Sequence, residues 1–85
     1  MTYRVEFAPA ASRQIKRLPR GTQKRIIARI EELALNPRLH GVQKLVSEEN
    51  LYRVRVGEYR VVYQIRDREL IVLIARVGHR REVYS

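Results

Sequence analysis

Two alternating runs separated by only two residues, Leu51–Val56 and Tyr59–Arg66 around Gly57-Glu58, constrain this chain more than any other feature. A connection that short admits a tight hairpin, and a glycine at its first position takes the positive φ such turns require. The two-residue loop also fixes a register: Val56 faces Tyr59, Arg55 faces Arg60, Val54 faces Val61 and Arg53 faces Val62. Side chains alternate across a strand, so Tyr52, Val54 and Val56 share a face with Tyr59, Val61, Tyr63 and Ile65. That face is the expected core. The opposite face receives Arg53, Arg55 and Arg60, with Arg55 and Arg60 directly across from each other. Like charges in such a pair destabilise a sheet by a few tenths to about 1 kcal/mol, so the cluster points to an anionic counterpart.

The rest of the chain supplies elements to cover the apolar face. Residues 2–7 alternate, with Tyr3, Val5 and Phe7 on one side, as a half-buried strand does. From Pro9 the period lengthens, and Ala8, Ala11, Ile15 and Leu18 fall three or four apart until Pro19 ends the pattern. A second helix is expected from about Thr22 to Leu35, with Ile26, Ile27, Ile30, Leu33 and Ala34 as its apolar stripe and Asn36-Pro37 as its stop. Residues 36–49 hold Pro37, Gly41 and few spaced apolar side chains, and read as a loop returning to the sheet. Residues 67–69 make a turn, and residues 70–77 are apolar at nearly every position, as in a strand covered on both faces. The expected fold is α+β: a helical hairpin packed on one face of a small antiparallel sheet, in the order β-α-α-β-β-β. At 85 residues the chain is read as one domain, 1–85.

Charge narrows the function. Lys and Arg total 18 against 9 Asp and Glu, a formal net charge of +9, and a surplus of that size attracts polyanions, nucleic acid first among them. Fifteen of the 18 are arginines, whose planar donor fork matches phosphate better than the point charge of lysine. Solvated faces usually mix signs, yet Glu58 is the one acid in residues 51–66. Past the last strand, Arg80, Arg81 and Tyr84 follow Gly78, and a chain reversal there brings them beside the cluster. The chain has no Cys and two His, His40 and His79, which excludes a disulfide framework, a cysteine nucleophile and a metal site with three nitrogen or sulfur ligands. No cofactor is expected. His79 is a titratable group at a strand end, and His40 a solvated loop side chain. With no membrane span or export signal in the sequence, a soluble cytoplasmic protein is expected.

These residues resemble the RelE/ParE toxins of type II toxin-antitoxin systems, and specifically the RelE-type mRNA interferases. The likeness is carried by Tyr3-Arg4-Val5-Glu6-Phe7, by Leu33-Ala34-Leu35 running into Asn36-Pro37-Arg38, and by Lys44-Leu45. Its strongest parts are the hairpin from Leu51 through Gly57-Glu58-Tyr59-Arg60 to Tyr63 and the run Arg76-Val77-Gly78-His79-Arg80-Arg81-Glu82-Val83-Tyr84. The resemblance implies a RelE-like fold and a toxin that cleaves mRNA in the ribosomal A site and so inhibits translation. Its implied partners are the ribosome and a cognate RelB-like antitoxin. It places a basic catalytic set on Arg53, Arg55, Arg60 and Arg80, with Tyr84 as the aromatic member. Arginine stands at 53 and 55, where lysines can occur in the family. Cleavage by 2′-OH attack needs a base, stabilisation of the charged phosphorane and protonation of the leaving oxygen. Arginine serves the second need and serves the first poorly, its pKa lying above 12. The base is left open among Arg53, Arg55 and His79.

Two other classes compete: a ParE-like toxin that shares the fold but binds DNA gyrase, and a basic nucleic-acid-binding module without catalysis. The ParE-like branch generally lacks the basic and aromatic set, and only an activity measurement separates the third class. Tyr84 carries a test of its own. A stacking tyrosine needs only its ring, so Tyr84→Phe keeps most activity while Tyr84→Ala loses about 1–3 kcal/mol of base stacking. A proton-relaying tyrosine makes Phe nearly as damaging as Ala, by about 10²-fold. Stacking is expected, because a phenol near pKa 10 is protonated at neutral pH. Single-turnover cleavage by both variants decides between them.

Overall fold

The computed structural model describes residues 2–39, 41–45 and 50–79. Seven elements follow one another: β1 (Arg4–Phe7), α1 (Pro9–Lys16), α2 (Arg20–Leu35), β2 (Val42–Lys44), β3 (Leu51–Val56), β4 (Tyr59–Arg66) and β5 (Ile71–His79). Pro9 opens α1, where its missing N–H would have had no partner inside the helix. The helices are joined by the short turn at residues 17–19, in which Gln23 Nε2 donates to the Leu18 carbonyl at 2.7 Å. Both helices lie on one face of a five-stranded sheet in the order β1-β5-β4-β3-β2. The α+β hairpin-on-sheet architecture expected from the sequence is therefore present.

Two features of the sheet correct that expectation. The segment read wholly as a loop contains β2, which pairs antiparallel with β3 through Val42↔Val54, Gln43↔Arg53 and Lys44↔Tyr52. Three residues are too few to show a period. The sheet is also not purely antiparallel, because β1 runs parallel to β5 from Arg4↔Ile71 to Phe7↔Ile74. Amphipathic alternation marks which face of a strand is buried but carries no information about the direction of its neighbour.

The β3–β4 register is as the turn dictated, from Val56↔Tyr59 and Arg55↔Arg60 to Leu51↔Gln64. Gly57 sits at φ +59, and Glu58 is not among the positive-φ residues, so the strain of the turn falls on the one residue that lacks a Cβ. Between β4 and β5 the register shifts: Tyr63 pairs with Ile74 but Val62 pairs with Arg76, leaving Ala75 as an extra residue. This bulge reverses the alternation, so that Val77 and His79 face the helices and Arg76 joins Val62 on the far side.

The core is almost wholly apolar. Ala11 and Ile15 of α1 and Ile26, Ile30 and Leu33 of α2 pack onto Tyr52, Val54, Val61, Tyr63, Ile65, Val72, Ile74 and Val77. Each fully buried Ile or Leu contributes about 1.5–3 kcal/mol. Ile27, expected in the stripe, lies at its margin beside Phe7 and is 36% exposed. Tyr63 is fully buried, and its hydroxyl donates to the Pro37 carbonyl at 2.7 Å. Burial pushes that phenol above its usual pKa. No helix among the described residues is long and apolar enough to cross a membrane.

An ionic clasp ties three distant segments together at one edge of the molecule. Arg38, just after α2, forks onto Asp67 of the β4–β5 turn, with Nη1 to Oδ1 at 3.1 Å and Nη2 to Oδ2 at 2.8 Å. The Tyr3 hydroxyl donates to the same Oδ1 at 2.8 Å, and the Arg38 guanidinium lies 5.6 Å from the centre of the Tyr52 ring. The Arg38 fork, helped by the Tyr3 hydrogen bond, pulls the Asp67 carboxyl from its ordinary 3.8 down to about 2. Because the folded-state pKa is the lower one, this stabilisation is fully present above the ordinary value and is lost as the pH falls through about 2. Asp67→Asn is expected to lower the melting temperature by a few degrees at neutral pH. The gap between variant and parent should close between about pH 4 and pH 2 in thermal melts followed by circular dichroism.

Candidate functional site: an arginine pocket on the open face of the sheet

The sheet face turned away from the helices carries Arg53 and Arg55 on β3, Arg60, Val62 and Gln64 on β4, and Leu73 and Arg76 on β5. Arg53, Arg55 and Arg60 line one concavity of about 240 Å³ together with Gly41 and Gln43. The three arginines gathered by the turn register thus do share a pocket. Val62, flanked in register by Arg53 and Arg76, is 1% exposed and forms an apolar floor beside them.

Two of the guanidinium groups are oriented by neutral acceptors. Gln43 Oε1 accepts from Arg53 Nε at 2.9 Å and from Nη2 at 2.6 Å. Arg55 Nε donates to the Gly57 carbonyl at 2.9 Å. Orienting an arginine with a carboxylate would cancel its charge, whereas an amide or a peptide carbonyl fixes its direction and leaves the full positive charge in place. Among the described residues, no carboxylate lines the concavity. Gly41, at φ +98, completes the wall, and a Cβ there would come within 3.2 Å of Arg29 Nη2. The arrangement is suited to holding a phosphate against several preorganised donors.

The other candidates fall elsewhere. His79 pairs with Tyr59 across the β4–β5 ladder and faces the helices, while its neighbour Gly78 pairs with Arg60. It therefore does not line the arginine pocket. Its ring meets that of Tyr59 edge-on with centroids 5.8 Å apart, and its Nε2 lies 4.0 Å from Glu58 Oε2. Arg80, Arg81, Tyr84 and His40 lie outside the described residues. Sequence reasoning missed Gln43 and Arg76. Gln43 sits on a strand too short to be recognised. Arg76 ends an apolar run in which only the bulge at Ala75 decides its face, and the single signal was a charged residue interrupting that run.

The sequence and the fold have counterparts among known proteins. Residues 5–84 match the family described as the ParE toxin of type II toxin-antitoxin systems, parDE. The chain belongs to that family. Toxin RelG of Mycobacterium tuberculosis is 35% identical over 89 residues, covering 99% of this chain and 98% of its own. The mRNA interferase toxin RelE of Escherichia coli is 28% identical over 89 residues, with 100% and 93% covered. Among solved structures, the archaeal RelE–RelB complex from Pyrococcus horikoshii matches with a TM-score of 0.83 at 28% identity, covering 94% of this chain and 97% of the other. This is a RelE-type member of the RelE/ParE superfamily of toxins.

If Gln43 sets the direction of Arg53 in this toxin, Gln43→Ala should leave the fold within about 0.5 kcal/mol of the parent, as expected for an exposed edge-strand position. Binding of inorganic phosphate at Arg53 should nevertheless weaken several-fold. Calorimetric titration beside a thermal melt reads both.

Proposed function

We propose that this toxin is a metal-independent endoribonuclease that cleaves mRNA in the ribosomal A site and is neutralised by a RelB-like antitoxin. The observation that carries the reading is the convergence of Arg53, Arg55 and Arg60 in one concavity. In the reaction, the 2′-oxygen attacks the adjacent phosphorus, the bond to the 5′-oxygen breaks, and a 2′,3′-cyclic phosphate and a 5′-hydroxyl result. The charge that builds on the non-bridging oxygens is met by Arg60, whose position in the half-buried interior of the ladder restricts its reorganisation. Arg53 and Arg55, held by Gln43 and Gly57, fix the backbone and acidify the 2′-hydroxyl. Arg80 is assigned as the second phosphate clamp and Tyr84 as the stacking ring, by their match to the family pattern.

A site built from guanidinium groups supplies charge stabilisation and lacks a base that is neutral at physiological pH. That deficit is the reason to assign the substrate as message bound on the ribosome, which can orient the 2′-hydroxyl for in-line attack. The same face suits an acidic amphipathic antitoxin segment, since half-buried Leu73 offers apolar contact beside the arginines. The matched ParE toxin family favours a second reading, in which the chain acts as a ParE-like binder of DNA gyrase. The intact arginine set and the RelE names of the relatives support the nuclease instead.

Inducible expression with primer extension on translated messages separates the two. Cleavage within codons, lost when translation is blocked and suppressed by a neighbouring antitoxin frame, is the expected result. Equal cutting of naked RNA, or growth arrest with intact messages and altered supercoiling, overturns it. Arg60→Ala should slow the single-turnover chemical step by about 10²-fold or more with the fold retained.

A further inference from the structure

A second concavity lies on the other side of the same strand ends. β1 stops at Phe7↔Ile74, so among the described residues the remainder of β5 has no strand on that side. The end of α1 approaches this free edge, and Gln14 Oε1 accepts a hydrogen bond from the Val77 backbone N–H at 2.7 Å. Between them opens a cleft of about 530 Å³ lined by Arg17, Leu18, Tyr59, Arg76, Val77 and His79, with Gln14 and Gly78 at its margin. Its volume is within the roughly 300–1,000 Å³ of small-ligand sites.

The lining is chemically divided. Leu18 and Val77 are apolar, Tyr59 and His79 bring two rings set edge to face at 74°, and Arg17 and Arg76 bring positive charge. An apolar surface with aromatic walls takes a planar base, and guanidinium groups take a phosphate. The cleft also joins the arginine pocket through the backbone. Tyr59↔His79 and Arg60↔Gly78 are successive rungs of one ladder, and successive residues face opposite sides of a sheet. Arg76 shares a face with Val62 and also lines the cleft, so it stands on the rim between the two concavities. From β3 to β5 the path crosses two strand spacings, roughly 10 Å.

We propose that this cleft binds one nucleotide of the RNA strand, next to the linkage held in the arginine pocket, with its base against Tyr59 and His79 and its phosphate at Arg17 and Arg76. The assignment rests on the arginine pocket being an RNA site. It makes the free edge of β5 part of substrate recognition.

The test is a titration of the full-length, ¹⁵N-labelled protein with 5′-AMP and, separately, with inorganic phosphate. AMP should move the amide signals of Leu18, Val77 and Gly78 at concentrations where inorganic phosphate, lacking the base, leaves Leu18 and Val77 in place and moves those of Gln43 and Arg53. Arg17→Gln and His79→Ala should each weaken AMP binding about tenfold, the scale of losing one stacking or charged contact, without altering the phosphate response of Gln43 and Arg53. AMP shifts confined to the arginine face, or shifts insensitive to both variants, overturn the proposal. The outcome is separable from the nuclease reading. AMP in the cleft with translated mRNA left intact removes the nuclease and keeps the site, and cut mRNA with Leu18 and Val77 unmoved removes the site and keeps the nuclease.

Discussion

Because the side-chain period of a strand is two, a one-residue slip of β3 against β4 would carry Tyr52 and Val54 into water and drive Arg53 and Arg55 under the helices. The two-residue connection at Gly57-Glu58 forbids that slip, and every other arrangement in the molecule depends on it. With the register fixed, one face of the hairpin receives the helical hairpin and buries Val54, Val61, Tyr63 and Ile65. The other face presents three arginines at short range. The same small turn therefore defines both the core and the site, and Arg55 returns to bond the Gly57 carbonyl that makes it possible.

Bringing like charges together across a ladder costs up to about 1 kcal/mol per facing pair, which a small domain tolerates only if its apolar side is well packed. The core meets that demand, with 13 buried residues in one cluster and no buried charged residue among the described ones. No acid among the described residues lines the pocket. Asp67 is engaged by Arg38 and Tyr3 at the β4–β5 turn, and Glu32 is paired with Arg29 on α2. On the arginine face, Arg53 is oriented by the Gln43 amide and Arg55 by the Gly57 carbonyl.

How much of this was legible followed from which physical signals are local. The hairpin register, the core face of β3 and β4, and the helical pair could be read because each is set by spacing within a few residues. The strand β2, with Gln43, was not legible, since three residues carry no period. The bulge at Ala75 was hidden in a run where nearly every position is apolar, and with it went the face of Arg76 and the inward turn of His79. The parallel pairing of β1 with β5 joins positions almost seventy residues apart, and nothing in either segment specifies that partner. The convergence of Arg53, Arg55 and Arg60 was available in advance. What holds them was not.

The placement of β5 bears on when a newly made chain becomes a structure at all. The last described strand is an interior one, with β4 on one side and β1 on the other. Until residues 71–79 have emerged during synthesis, β1 has no neighbour and the helices have only part of the surface they cover. The β3–β4 hairpin carrying the arginines can form earlier, but an isolated two-stranded hairpin is marginal in water. Contacts of such long sequence separation also form late and slowly. Completion of the fold thus waits for β5 to emerge, and a chain truncated before β5 has neither a covered core nor a stable arginine pocket.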